Sequence, residues 1–194
     1  MDTHRKKRNI FDYNTPQGKI NIIVSGFSDQ QKISIDDVTI AVDALPSHHL
    51  SGVQEIRYQE DHTYINEYGE EVLTTPKTAK AVFVQNDQVI LMHNFENREE
   101  FLHILYHEMG HHVFYRVING FQRKHWVTKI HPSSAVITKY AGLNASEDFA
   151  ESYARFLLDP KQLSKLTKKY NFMRDEIFGG ISISLDKKHV DLTI

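Results

Sequence analysis

The sequence predicts an α+β fold, in which a small mixed β-sheet in the N-terminal half packs on a helical C-terminal half. Short runs rich in β-branched residues dominate the first half, and apolar residues at helical spacing dominate the second. No repeat or Pro/Gly-rich linker divides the 194 residues. We therefore predict a single domain over 1–194, with a flexible segment at 1–18, a mixed half at 19–95 and a helical half at 96–180.

The mixed half begins with a predicted strand at 19–25, which is rich in isoleucine and valine. Apolar residues at helical spacing predict a helix over 34–44, and a second strand is predicted over 52–58. Two further β-prone runs, 79–84 and 88–92, are joined by a Gln-Asn-Asp sequence that favours a turn. We expect these two runs to form a hairpin.

The helical half begins at Asn97 and Glu100, whose spacing is that of a capping box. Helical periodicity then runs over 101–118, until Asn119 and Gly120 provide a C-terminal stop. Another helix is predicted over 146–158, ended by an Asp-Pro pair, and a further helix follows from Lys161. The pattern of the last residues, 181–194, is ambiguous.

Charge and composition narrow the range of partners. The formal net charge is −2 and the pI is near 6.6, which gives no reason to expect a nucleic-acid or membrane surface. Basic residues gather at 4–8 and 161–169, and we interpret both runs as a solvated tail or helix face. The sequence contains no cysteine, so any metal must be held by His, Asp or Glu.

The N-terminal residues, 1–14, include basic side chains but lack the apolar core of a signal peptide. No stretch approaches transmembrane length. As it stands, the sequence predicts a cytoplasmic protein. If a leader peptide has been removed from the N-terminus, we expect a secreted protein instead.

The predicted helix over 101–118 is apolar around nearly its whole circumference, which is typical of a core helix. The same segment contains five polar residues that are costly to bury without compensation: His103, His107, Glu108, His111 and His112. A metal ion would supply that compensation. Residues 107–111 form the HExxH pattern, and residues four apart point within about 40° of each other, so His107 and His111 can bind one ion. Glu108 lies about 60° from His111, close enough to meet a metal-bound water.

Several residues compete to be the third ligand. The long HExxH form that ends in a further histidine fails, because the glycine and histidine positions hold Phe114 and Val117. His103 lies one turn before His107, but three ligands along one straight helix span too much length to surround an ion. The side chain of His112 points about 140° from that of His107. His125 and His131 stay open as ligands because they lie in a connection predicted to be irregular.

Glu147 and Glu151 make a stronger case, because they lie one turn apart on one face of the predicted helix over 146–158. The small residues Ala150 and Ala154 would let this helix approach the HExxH helix. The alternative is that both glutamates are solvated and that Glu151 pairs with Arg155, a contact worth a few tenths of a kcal/mol.

Together, the HExxH pattern, the Glu-x-Phe-Ala-Glu pattern of 147–151 and a tyrosine seven residues before Glu147 resemble the lethal-factor-like gluzincin zinc metallopeptidases. This family includes the bacterial Pro-Pro endopeptidases. The resemblance implies a zincin-like metallopeptidase domain with Zn2+ held by His107, His111 and Glu147. It also implies that Glu151 orients a ligand histidine and that Tyr140 stabilises an oxyanion. Asp148 replaces an aromatic residue that is frequent in the family.

We therefore expect a zinc-dependent endopeptidase that acts on a peptide or protein substrate. Zinc would lower the pKa of a bound water towards about 7, and Glu108 would take its proton. The edge of the hairpin over 79–92 is expected to bind an extended peptide by strand addition. One alternative is a non-catalytic, zinc-stabilised binding or regulatory module derived from a peptidase. Another is a regulatory protease that cleaves a repressor inside its own cell.

Overall fold

The computed structural model describes residues 8–180, which form an α+β structure with a small sheet and helices, as the sequence predicts. The chain divides into two compact units between Val117 and Ile118.

The first unit contains the strands of the described chain. They are β1 (Arg8–Thr15), β2 (Gly18–Ser25), β3 (Glu55–Tyr58), β4 (Thr63–Ile65), β5 (Glu71–Thr74), β6 (Ala81–Val84) and β7 (Val89–Met92). Five of them form one sheet in the order β1-β2-β3-β7-β6, and β4 and β5 form a separate ribbon. β2, β3 and β7 are parallel, whereas β1 and β6 run antiparallel to their neighbours.

One face of this sheet is apolar and buried. Val24, Ile56 and Ile90 lie in register on three neighbouring strands, and each is at most 2% exposed. The first unit also contains helices α1 (Ile35–Asp43) and α2 (Arg98–His112), and α2 packs against β6 and β7. The sheet therefore supports the helix that carries the HExxH pattern.

The N-terminal strand corrects an expectation, because we assigned 1–18 to a flexible segment. Residues 8–15 instead form β1, which pairs with β2 along its whole length. Its side chains alternate between exposed and half-buried positions, the pattern of a strand with one solvated face. Two residues weaken this alternation in the sequence, because Asn9 occupies a half-buried position and Ile10 an exposed one. Residues 1–7 lie outside the described part.

The predicted hairpin over 79–92 is confirmed, with β6 and β7 paired antiparallel. The ribbon formed by β4 and β5 was missed, because its strands are short and largely exposed. Tyr64 of this ribbon is buried against Val84, Val89 and Leu91. The ribbon thus covers part of the second face of the sheet.

The second unit is helical within its described residues. It contains α3 (Gly120–His125), α4 (Ala145–Leu158), α5 (Pro160–Ser164) and α6 (Thr167–Phe172), with π-helical turns at Trp126–Ile130 and Met173–Ile177. α4 confirms the helix predicted over 146–158. Asn119, predicted to lie at a helix end, caps the start of α3 through a capping box with Gln122. Residues 181–194, whose sequence pattern is ambiguous, lie outside the described part.

Two groups of aromatic rings form much of the core of the second unit. Trp126 packs edge-on against Phe149 and also contacts Phe172, while Phe156 stacks on Phe178. Trp126 and Phe149 are fully buried, so α4 is held on its apolar side by large, rigid contacts.

Lys169 corrects our interpretation of the basic run at 161–169 as a solvated face. Its side chain is fully buried and donates to Asp148. No α-helix among the residues described here combines the length and the apolarity needed to cross a membrane.

Candidate metal centre

Helix α2 places the HExxH residues in the interior. Asn97 caps the helix by accepting a hydrogen bond from the backbone N–H of Glu100. The predicted capping box is only half formed, because the Glu100 carboxylate accepts from the N–H of Glu96 and from Lys80. From Phe101 onwards, α2 is almost wholly buried, with His107 8% and Glu108 7% exposed.

The two histidines of the HExxH pattern face each other across one turn of α2. The Nε2 atoms of His107 and His111 are 3.1 Å apart, and the rings meet edge to face with centroids 4.8 Å apart. One turn of helix therefore directs two imidazole nitrogens at the same point, as the four-residue spacing predicts.

Glu147 lies in the first turn of α4 in the second unit. Asn144 caps this helix by accepting hydrogen bonds from the backbone N–H groups of Ser146 and Glu147. One ligand atom from each of His107, His111 and Glu147 lies within 4.8 Å of the other two. These three residues form a group that could hold a metal ion.

The competing histidines have other environments. The Nδ1 atom of His125 lies 3.2 Å from Glu176, and that of His131 lies 2.8 Å from Asp148. Both residues lie in helical structure, α3 and a 3₁₀ turn at His131–Ser133, where we expected an irregular connection. The ring of His103 is tilted against that of His107, with centroids 6.5 Å apart.

His112 belongs to the apolar side of α2. It has no solvent-exposed surface, and its ring packs edge-on against that of Phe83. Burial lowers the pKa of its imidazole to about 4, although the backbone of His49 and Ser51 partly opposes that shift. His112 is therefore neutral at pH 7 and is a core residue, as its direction on the helix predicts.

The remaining site residues predicted from the sequence differ in exposure. Glu151 is only 4% exposed, so the alternative of a solvated Glu151 is wrong. Tyr140 is 53% exposed and begins a 3₁₀ turn, Tyr140–Gly142, that packs against α4. Part of the Tyr140 side chain, which lies near the start of α4, is therefore accessible from solvent.

A charged network beside Glu147, formed by Asp148, Lys169 and His131, was not predicted from the sequence. The signal that could have indicated it is Asp148 itself. This residue lies between Glu147 and Phe149, on a helix whose neighbouring residues were predicted to be core, and a buried carboxylate needs a cationic partner. The identity of that partner depends on the tertiary structure.

Comparison of the chain with models of protein families, with curated proteins and with solved structures found no match.

Proposed function

We propose that the protein is a zinc-dependent endopeptidase with a zincin-like metallopeptidase domain of the lethal-factor-like gluzincin type. One observation carries this proposal: donor atoms of His107, His111 and Glu147 lie within 4.8 Å of one another, with Glu108 next to the first of them. Two imidazoles and one carboxylate are a ligand set found in zinc peptidases, which keep a further position open for water or substrate.

The distances support zinc as the metal. Two imidazole nitrogens bound to one tetrahedral zinc at about 2.0–2.1 Å lie about 3.3 Å apart, and the Nε2 atoms of His107 and His111 are 3.1 Å apart. With no cysteine in the chain, the donors are nitrogen and oxygen atoms, as in catalytic zinc centres. When bound, zinc would polarise the substrate carbonyl and make a coordinated water acidic near neutral pH.

Glu108 is the proposed general base. Glu108 follows His107 directly in α2. Its side chain therefore leaves the helix about 100° round the axis from that of His107 and points in a different direction from the ligand. Its burial, with 7% exposure, shields the carboxylate from bulk water. Glu108 accepts a proton from the attacking water and then donates it to the leaving amine.

Glu151 and Tyr140 complete the proposed site. Glu151 lies one turn after Glu147 on α4 and is buried, which suits a carboxylate that orients a ligand histidine. The hydroxyl of Tyr140, a residue that is 53% exposed, would donate to the oxyanion that forms on the substrate carbonyl.

The edge of the sheet offers a place for the peptide substrate. Within the described residues, β6 is the last strand of the sheet and pairs only with β7, so its other backbone edge can accept an extended peptide as a further strand. Lys80 immediately precedes β6 and forms an ion pair with Glu100. In a peptide-library assay, we expect Lys80→Glu to shift cleavage preference towards basic side chains without changing zinc content. Lys77→Glu, an exposed lysine in the preceding turn, is the control, and equal preferences in both variants would contradict binding along β6.

The decisive experiment measures zinc content and peptide hydrolysis together. We expect Glu108→Gln to retain zinc and lose activity by about 100-fold to 10,000-fold, because only the proton transfer is removed. Glu147→Ala should lose both zinc and activity. Tyr140→Phe should retain zinc and lose about 100-fold in rate, the effect of one oxyanion donor.

Two results would contradict the proposal in different ways. Stoichiometric zinc without cleavage of any member of a broad peptide library would favour the non-catalytic, zinc-stabilised module. A native protein that binds no zinc would remove the metal centre altogether.

A further inference from the structure

A buried charged network lies directly beside the proposed metal ligand Glu147. The Asp148 carboxylate accepts from Lys169 Nζ at 2.5 Å through Oδ1, and its Oδ2 lies 2.8 Å from His131 Nδ1. The side chains of Asp148 and Lys169 have no exposed surface, and that of His131 is 26% exposed. We call these three residues the Asp148 network.

The network connects three separate segments of the second unit. Asp148 belongs to α4 and Lys169 to α6. His131 begins the 3₁₀ turn His131–Ser133, which precedes α4 in the chain. Each carboxylate oxygen of Asp148 has a different partner, so the two contacts fix both the position and the tilt of the carboxylate. A single monodentate contact would fix only one of these.

The first turn of α4 is held at further points on its backbone. Asn144 accepts from the backbone N–H groups of Ser146 and Glu147, and Trp126 Nε1 donates to the carbonyl of Ala145 at 2.8 Å. The cap holds the backbone at the start of the helix. The Asp148 network adds a side-chain contact that resists rotation of this turn about the helix axis.

Rotation of this turn moves Glu147 and Asp148 together. Adjacent helical residues point about 100° apart, so the direction of the Asp148 side chain sets the direction of the Glu147 side chain. A rotation that displaced Glu147 would also separate Asp148 from Lys169 and expose an unpaired charge to the protein interior. The buried ion pair therefore penalises any displacement of the ligand.

We propose that Lys169 and His131, acting through Asp148, are positioning residues that hold Glu147 in the direction needed to bind the metal. This inference rests on the proposed zinc site. It adds three residues outside the HExxH helix that determine how tightly the metal is held. Groups that orient a metal ligand by a direct hydrogen bond typically contribute 10-fold to 100-fold in metal affinity, and we expect this network, which orients Glu147 through the backbone of α4, to contribute within that range.

The test uses the full chain with Asp148→Asn and His131→Gln, which remove the charge and one contact of the network with little change in volume. Zinc affinity is measured by competition with a chelator, and the visible spectrum of the Co2+-substituted protein reports ligand geometry. We expect both variants to bind zinc 10-fold to 100-fold more weakly and to show an altered Co2+ spectrum. Lys165→Met, an exposed lysine in the turn before α6, is the matched control and should keep the native affinity and spectrum.

Circular dichroism of the metal-free variants separates positioning from folding. Variants that are less stable yet bind zinc with native affinity and spectrum would overturn the inference while leaving the proposed zinc site intact. If Asp148→Asn does not fold, the His131→Gln variant, whose substituted side chain is partly exposed in the native protein, decides the question by the same measurements. A native protein that binds neither Zn2+ nor Co2+ would instead overturn the proposed function, and the inference with it.

Discussion

Helices α2 and α4 both supply proposed metal ligands from largely buried positions, yet their buried polar groups are compensated differently. In α4, the Asp148 carboxylate is neutralised by Lys169, a residue of the same unit. In α2, the Nε2 atoms of His107 and His111 face each other at 3.1 Å, an arrangement that a metal ion would complete. The Asp148 charge of α4 is thus compensated by the chain itself, whereas the facing imidazoles of α2 are expected to gain stability from a metal ion.

The largest expected effect tests whether Lys169 compensates for the buried charge of Asp148 in α4. Lys169→Met leaves Asp148 buried without its cation, and loss of one partner of a buried pair costs about 3–5 kcal/mol. Urea unfolding of the metal-free protein would measure this loss, with the exposed Lys165→Met as a control that should change stability by less than about 0.5 kcal/mol. Adding Asp148→Leu to Lys169→Met should recover much of the loss. A Lys169→Met protein as stable as the control would show that the pair contributes nothing.

The second-largest expected effect tests whether a metal ion compensates for the buried histidines of α2. Zinc at 100 times its dissociation constant should stabilise the native protein by about 2.7 kcal/mol, because it binds the folded state only. Thermal unfolding with zinc and with a chelator would measure this difference. Glu147→Ala should show little zinc-dependent stabilisation at the same concentration. An equal zinc response in both proteins would mean that zinc binds elsewhere.

The smallest effect concerns His112, the core histidine of α2. Burial lowers its pKa to about 4 in the folded state, compared with about 6.5 when unfolded. Below pH 6.5 the unfolded chain therefore binds more protons, and stability falls as the pH decreases towards 4. The contribution between pH 7 and pH 5 is about 2 kcal/mol. Chemical unfolding in chelator should show a weaker pH dependence for His112→Gln, and an unchanged dependence would contradict a neutral, buried His112.

These tests distinguish two ways in which one chain compensates for the burial of polar side chains, by an internal ion pair and by a metal ion. If Lys169→Met is destabilising and zinc stabilises only when Glu147 is intact, the difference between α2 and α4 holds. If zinc binding also depends on Asp148, the two kinds of compensation are coupled through the first turn of α4.

Periodic patterns predicted most of the regular structure. The strand predicted over 19–25, the hairpin over 79–92 and the helix over 146–158 follow from local apolar spacing and turn residues, and the structure contains all three. β1 and the ribbon of β4 and β5 were missed. Their strands are amphipathic or largely exposed, so the pattern that marks burial is weak in their sequences.

The candidate metal ligands could also be predicted from the sequence, although for two different reasons. His107 and His111 follow from helix geometry, because four residues make about one turn. Glu147 lies 36 residues after His111, and no local rule relates residues at that separation. Its selection depended on the resemblance to a family, and the structure adds the distance between its carboxylate and the two imidazoles.

The sequence by itself determined the α+β character, the cap at Asn97 and the convergence of two histidines on one side of α2. These features arise from interactions between residues close in the chain, which local sequence specifies. Only the tertiary structure decided that Lys169 is buried against Asp148 and that His125 and His131 pair with other carboxylates. Such pairs join distant segments, and the cost of burying each charge depends on which partner the fold brings to it.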